Sequence, residues 1–277
     1  MNYDFDMYMA EREIERTYGE KVSIVNKAKT LRKFGRTINA DSGVATTVAT
    51  FQGAVINETF ATTNSVDYIV SDSASDTGTV SVEGAYFDAD NNLVFNAQDV
   101  TLTGLTPVAL GTALCRCNRI KVKKGTFAAP AAALVGNVYV YDATLATGVT
   151  AGVPDVAAAT KCMVVAGQNQ SAKLASMISG SDYYVLTDVY AAVQKGNANT
   201  VAVDLDVEYR EIGGVWLPLG LEMSLRTGGA STLDMPQRPY SIIPKNSDFR
   251  MVATSNTNDT TVSGHVHGYL AQVREAG

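Results

Sequence analysis

The sequence predicts an all-β protein, an antiparallel β-sandwich or jelly roll arranged as two β domains behind an extended or partly helical N-terminal arm. Three observations carry that expectation. From Thr46 onward apolar and polar residues alternate with a period of two, the pattern of a sheet with one buried face. The alternating runs are short and are separated by clusters of Gly, Asn, Asp and Ser, which punctuate strands. No helical pattern alternates with them, so βαβ units and a parallel sheet are disfavoured.

Composition sets the bounds. The chain has 277 residues, 46% hydrophobic and 18% charged, which is enough apolar material for a sizeable core and too little charge for an extended disordered chain. No apolar run reaches the roughly 18 residues that a membrane-spanning helix needs. The first residues, MNYDFDMYMAEREIERTYGE, open acidic and lack the apolar stretch of a secretory signal. A net charge of -6 argues against nucleic acid as a partner.

Residues 1–45 stand apart. Asp4, Asp6, Glu11, Glu13, Glu15 and Glu20 make an acidic front, and Lys21, Lys27, Lys29, Arg32, Lys33 and Arg36 follow as a basic run. From Asp6 to Tyr18, Met9 and Ile14 sit among charges, a poor stripe for an independent helix. The segment therefore reads as an arm that orders against a partner. Its basic run is the candidate capsid or subunit contact, seeking carboxylates through a salt-sensitive attraction.

The body reads as residues 46–128 and 129–277, two β domains with a boundary near the Ala-rich stretch around Pro130. Thr79–Glu83 alternates; Asp88-Ala-Asp-Asn-Asn92 is a turn; Leu93–Gln98 and Val100–Thr103 follow as strands. Gly104 interrupts, and Arg116–Lys123 alternates again. The clearest strand is Val201–Arg210, with Val201, Val203, Leu205, Val207 and Tyr209 on one face. Asp204, Asp206, Glu208 and Arg210 fall on the other. Val262–Leu270 is a late strand that holds both histidines.

A search for chemistry returns few parts. There is no GxGxxG, P-loop, HExxH or GxSxG, so no catalytic or cofactor site is expected. His265 and His267, two apart on a strand, share one face with Val266 pointing inward; the spacing is one that a metal or acid–base pair would use, but a polar, solvated face of a late strand explains it more simply. Asp88, Asp90 and Asn92 offer oxygens like a calcium loop, but Leu93 stands where the loop needs glycine, so a hairpin turn explains them more simply. Cys115 and Cys117 lie too far apart along one strand face for a relaxed disulfide, and with Cys162 they read as reduced thiols. Arg116, Arg119, Lys121, Lys123 and Lys124 form a solvated or edge-guarding face, or a contact with an acidic neighbour.

Several segments together resemble a known class. Lys33-Phe-Gly-Arg36, Val100-Thr-Leu-Thr-Gly-Leu-Thr-Pro107 and Leu114-Cys-Arg-Cys-Asn-Arg-Ile120 are followed by Gly136-Asn-Val-Tyr-Val-Tyr141, Gln168-Asn-Gln-Ser-Ala-Lys173, Ile243-Pro-Lys-Asn-Ser-Asp-Phe-Arg250 and Val262-Ser-Gly-His-Val-His-Gly-Tyr-Leu270. Across roughly residues 33–270 this order resembles virion structural proteins of tailed bacteriophages, of the capsid decoration or cement type. The resemblance implies a non-enzymatic β-rich protein on the capsid surface, made in the host bacterial cytoplasm. It also implies a homotrimer that bridges subunits of the major capsid protein, with no membrane and no nucleic acid as partner. The alternative is a tail, neck or fibre-like protein recognising the host surface, for which Trp216 or Asp88 and Asp90 would be the first residues to inspect.

Overall fold

The structure is a computed structural model that describes residues 3–18, 22–53, 58–127, 133–180, 182–194, 201–227 and 230–275. In chain order these form helix α1 (Tyr3–Tyr18) and strands β1 (Val22–Ala40), β2 (Thr46–Thr47), β3 (Val66–Ser71), β4 (Thr79–Phe87) and β5 (Leu93–Thr101). Next come β6 (Val108–Leu114), β7 (Arg116–Val122), β8 (Val138–Asp142), β9 (Val149–Thr150), β10 (Val153–Pro154) and β11 (Thr160–Val164). The chain continues through β12 (Ala175–Ile178), β13 (Asp182–Gln194), β14 (Val201–Glu211) and β15 (Leu217–Thr227). It ends with β16 (Ala230–Ile243), β17 (Ser247–Ser255) and β18 (Thr260–Glu275). The predicted all-β class is what the chain adopts, and the strand pairs of its sheets are antiparallel.

One sandwich is a jelly roll. A sheet in the order β1-β18-β13-β16 faces a sheet in the order β12-β17-β14-β15, with β2 also on β17. β2 pairs with Val252 and Ala253, and β12 pairs with residues 247–250. The two short strands thus lie end to end on one edge of β17 and share a single strand position. Counting them as one and lettering the strands B to I in chain order gives B-I-D-G facing C-H-E-F, the eight-strand jelly-roll order.

The rest of the body is inserted into that shared strand position. At the break, Val48 N–H donates to Met251 O (2.9 Å), Met251 N–H to Leu174 O (3.0 Å) and Leu174 N–H to Val48 O (3.0 Å). Between Val48 and Leu174 the chain builds a second sandwich, β11-β8-β3-β6 against β5-β4-β7. Its core holds residues from Val66 to Val164, whereas the jelly-roll core runs from Ala40 and Val48 to residues 174–266. The expected division at 128/129 therefore runs through the inserted core, and the two β units are nested rather than placed in tandem. Compositional breaks report loops, and an Ala- and Pro-rich loop inside one unit looks no different from a linker.

The strand Val201–Arg210 behaves as its pattern predicts. Val201, Val203 and Leu205 are fully buried, Val207 nearly so, and Asp204 is exposed. The sheets approach closely where glycines face each other. Gly35 pairs with Gly264, and a Cβ on Gly35 would stand 1.8 Å from Val48 O. Only glycine fits that contact.

Residues 3–18 and 22–40 are not a detached arm in this fold. β1 is an edge strand of the jelly roll, paired with β18 from Val22↔Glu275 to Ala40↔Thr260. Helix α1 lies across the outer face of that sheet, burying Ala10 and Ile14 against Ile24, Tyr183, Val185, Ile242 and Ala271. Tyr18 donates to Ile242 O at 2.8 Å, and Glu11 accepts from Ile24 N–H at 2.6 Å. The stripe that makes this possible is Ala10, Ile14 and Tyr18, spaced by four. Placing Met9 with Ile14 misses it, and Met9 is exposed.

Candidate functional site

The outer face of the β1-β18-β13-β16 sheet is half covered by α1 and half open. On the open half the register aligns side chains in rows. Arg32, His267 and Asp188 form one row; Phe34, His265 and Tyr190 a second; Arg36, Ser263 and Ala192 a third. Phe34 and Tyr190 are exposed, and Ile38 beyond them is 66% exposed. Aromatic and arginine side chains on a flat, open face are the composition of protein–protein contacts.

The predicted contact residues divide on this strand. Arg32 and Arg36 are exposed on the open face. Lys33 is a correction: it is 5% exposed and points inward, its Nζ donating to Asn118 O at 2.5 Å. Successive strand residues alternate faces, so a consecutive basic run cannot all reach one partner. Lys21 lies outside the described residues, as do the side chains of Lys27 and Lys29.

His265 and His267 sit on the open face with rings stacked 6.4 Å apart, and Val266 is fully buried, as read from their spacing. His267 Nδ1 stands 3.4 Å from Asp188 Oδ2. Burial, with His267 and Arg32 beside it, lowers the pKa of His265 below the usual imidazole value. Asp88 closes its own hairpin: its Oδ1 accepts from Asp90 N–H (2.9 Å) and Asn92 N–H (2.8 Å), with Asn91 at φ 61. That geometry is an Asx-type turn. Among the described residues no group of three His, Cys, Asp or Glu side chains converges as metal ligands would.

A charged joint between the two sandwiches was not visible in the sequence. Arg116 on β7 makes a two-pronged ion pair with Asp248 on β17, at 2.6 and 3.0 Å, with Asp248 fully buried. Arg210 reaches the same carboxylate at 3.3 Å. Around it, Phe60 lies under both Arg116 and Arg210 at 4.8 Å, and Trp216 is covered by Arg210 at 4.7 Å and Arg250 at 4.1 Å. The indole faces are thus engaged by cations.

A second part of the joint gathers buried lysines and thiols. Lys173 donates to Cys117 O and Lys161 O, both at 2.7 Å, and pairs with Glu58 at 2.9 Å. Burial alone would lower its pKa, but Glu58 and the nearby thiols hold it above the ordinary lysine value. Among the described residues no carboxylate forms an ion pair with Lys33, and burial pushes its pKa down to about 7. All three cysteines are free and buried, as reduced thiols should be. Burial would raise Cys162, but its hydrogen bond with Cys117 and the charge of Lys173 turn the shift downward, while burial pushes Cys117 up.

Comparison with known proteins adds similarities without a family. No family model matches the chain, and no curated protein does. Among solved structures, one of the infectious bursal disease virus Gt strain is 11% identical, covering 89% of this chain and 72% of that one, with a TM-score of 0.24. Infectious bursal virus derived T=1 particles are 12% identical, covering 90% and 71%, with a TM-score of 0.23. The CBM22-1–CBM22-2 tandem domain from Paenibacillus barcinonensis Xyn10C is 12% identical, covering 86% and 93%, with a TM-score of 0.22. Superpositions this loose carry no argument about function.

Proposed function

We propose that the protein is a non-enzymatic structural component of a virion, and specifically a capsid decoration protein of a tailed bacteriophage that bridges major capsid protein subunits as a homotrimer. The observation that carries this reading is the jelly roll whose interior is filled by Val, Leu, Ile and Met side chains and whose outer sheet presents Arg32, Phe34, Arg36, Ile38 and Tyr190. Jelly rolls serve in viral shells, lectins and cupins, and fold alone does not choose among them. A cupin-type centre needs polar ligands inside the barrel, and the interior here is apolar. Trp216, the aromatic residue first to inspect for a sugar platform, is covered by Arg210 and Arg250. The open sheet face with arginines beside aromatics fits attachment to a protein surface, which favours the capsid reading over host-glycan recognition at a tail.

The test is location. An electron-microscopy map of purified particles, with the protein identified by mass spectrometry, is expected to place it on the head shell with the Arg36 face toward neighbouring subunits. Density confined to the tail or fibres, or absence of the protein from the particles, would overturn the proposal.

A further inference from the structure

A cavity of about 240 Å³ opens between the outer edge of β1 and the segment that leads from the insert back to β12. Arg32, Lys33, Arg119, Lys173 and His265 line it together with the uncharged Gln170, and no carboxylate does. Two carboxylates stand behind the cations rather than in the cavity: Glu83 holds Arg119 at 2.5 Å, and Glu58 holds Lys173 at 2.9 Å. Arg32 and Lys33 have no ion-pair partner among the described residues. The carboxylate near Arg32 across the sheet, Asp188, is engaged by His267. A chain of net charge -6 thus keeps a pocket lined by cations and by no carboxylate among the described residues, one member of which is a lysine almost wholly removed from water.

Burying an unpaired ammonium is costly, and the cost is offset only when a counter-charge enters. Organic-ligand pockets run to about 300–1,000 Å³, so this space suits an ion with its closest waters. The open guanidinium fork of Arg32 and the Lys33 ammonium line the cavity from one sandwich and the charge of Arg119 from the other, donors suited to an oxygen-bearing anion. We propose that this cavity is a binding site for a small tetrahedral oxyanion, inorganic phosphate or sulfate, held chiefly by Lys33 and Arg119 with Arg32 and His265 at its entrance.

The site carries a pH signature. Lys33 faces Arg119 and Glu83 of the insert, Cys162 of β11 and Lys173, and loses its proton near pH 7. His265 faces His267, Arg32 and Asp188 and protonates below the usual imidazole range. Both are better anion hosts at lower pH, so affinity for sulfate, a dianion throughout, rises as pH falls from 8 to 6.

Calorimetric titration of the full chain with sodium phosphate, against sodium chloride at equal ionic strength, tests the proposal. Saturable binding of one phosphate is expected, competed by sulfate, with sulfate itself binding more tightly at pH 6 than at pH 8. Lys33→Met, checked for folding by circular dichroism, should lose about tenfold or more in affinity, the worth of one hydrogen bond to a charged group. Should that variant not fold, the exposed double variant Arg32→Gln/His265→Gln should bind severalfold more weakly. Heat of binding that chloride reproduces, or phosphate affinity equal in wild type and in a folded variant, overturns the site.

Discussion

The jelly-roll core and the joint between the sandwiches hold the molecule together by opposite means. In the core, side chains such as Val203, Leu205, Phe249 and Met251 are removed from water without a polar atom among them. That burial is non-directional and contributes in proportion to area. At the joint, Arg116, Asp248, Lys173 and Glu58 are equally buried but charged, and each is tolerated only because a partner sits at 2.6–3.0 Å. The difference teaches where orientation comes from. An apolar surface would let the insert slide over the jelly roll, whereas bidentate pairs and backbone-directed lysines accept one placement. Lys33 marks the limit of the scheme as a buried charge without a carboxylate.

The sharpest way to break the contrast is to remove one charge. Asp248→Ala leaves Arg116 buried and unpaired, and the urea midpoint should report a loss of about 3–5 kcal/mol. Leu205→Ala, the matching change in the core, should cost about 2–5 kcal/mol with no salt or pH dependence, since it removes transfer energy and leaves a cavity. If Asp248→Ala proved the milder and Leu205→Ala salt-sensitive, the division between the two regions would fail.

Lys33 sharpens the contrast through pH. Between about pH 7 and pH 10.5 the unfolded chain keeps a proton on this lysine that the folded chain has released. Stability therefore rises with pH across that window. Relative to wild type, Lys33→Met should therefore be most favoured at pH 6, where the buried ammonium is charged. In denaturation curves of the two proteins that advantage should fall as pH rises from 7 and turn into a deficit by pH 10.5, where the neutral amine still donates to Asn118 O and methionine cannot. The smallest effect belongs to the open face. Arg36→Glu should change stability by no more than about 0.5 kcal/mol, yet, under the capsid role we propose, lower occupancy on purified capsids, most of all at low salt where the attraction is least screened.

Much of the fold was legible because period-two patterning survives wherever a strand has one apolar and one wet face. Val201–Arg210 and the His265/His267 face were read correctly for that reason. β1 was not, because its pattern is inverted: Lys33 and Thr37 point inward while Phe34 and Ile38 face out. Its inner face meets the polar joint and a backbone contact at Gly35, so apolar alternation could not announce it. A partly helical arm was expected, but the helix's buried stripe was not, because Ala10 is a weak hydrophobic signal.

By itself the sequence determined that the chain is all-β and antiparallel, which residues of its best strands face a core, and that Cys115 and Cys117 form no disulfide with each other. Those are local properties, set by alternation, turn chemistry and spacing along one strand. Only the tertiary structure decided that one sandwich is threaded into a strand of the other and that Arg116 meets Asp248 from 132 residues away. It also decided that a basic run divides between an open face and a buried cavity. Contacts so distant in sequence leave no periodic trace, because each partner alone reads as an ordinary surface charge.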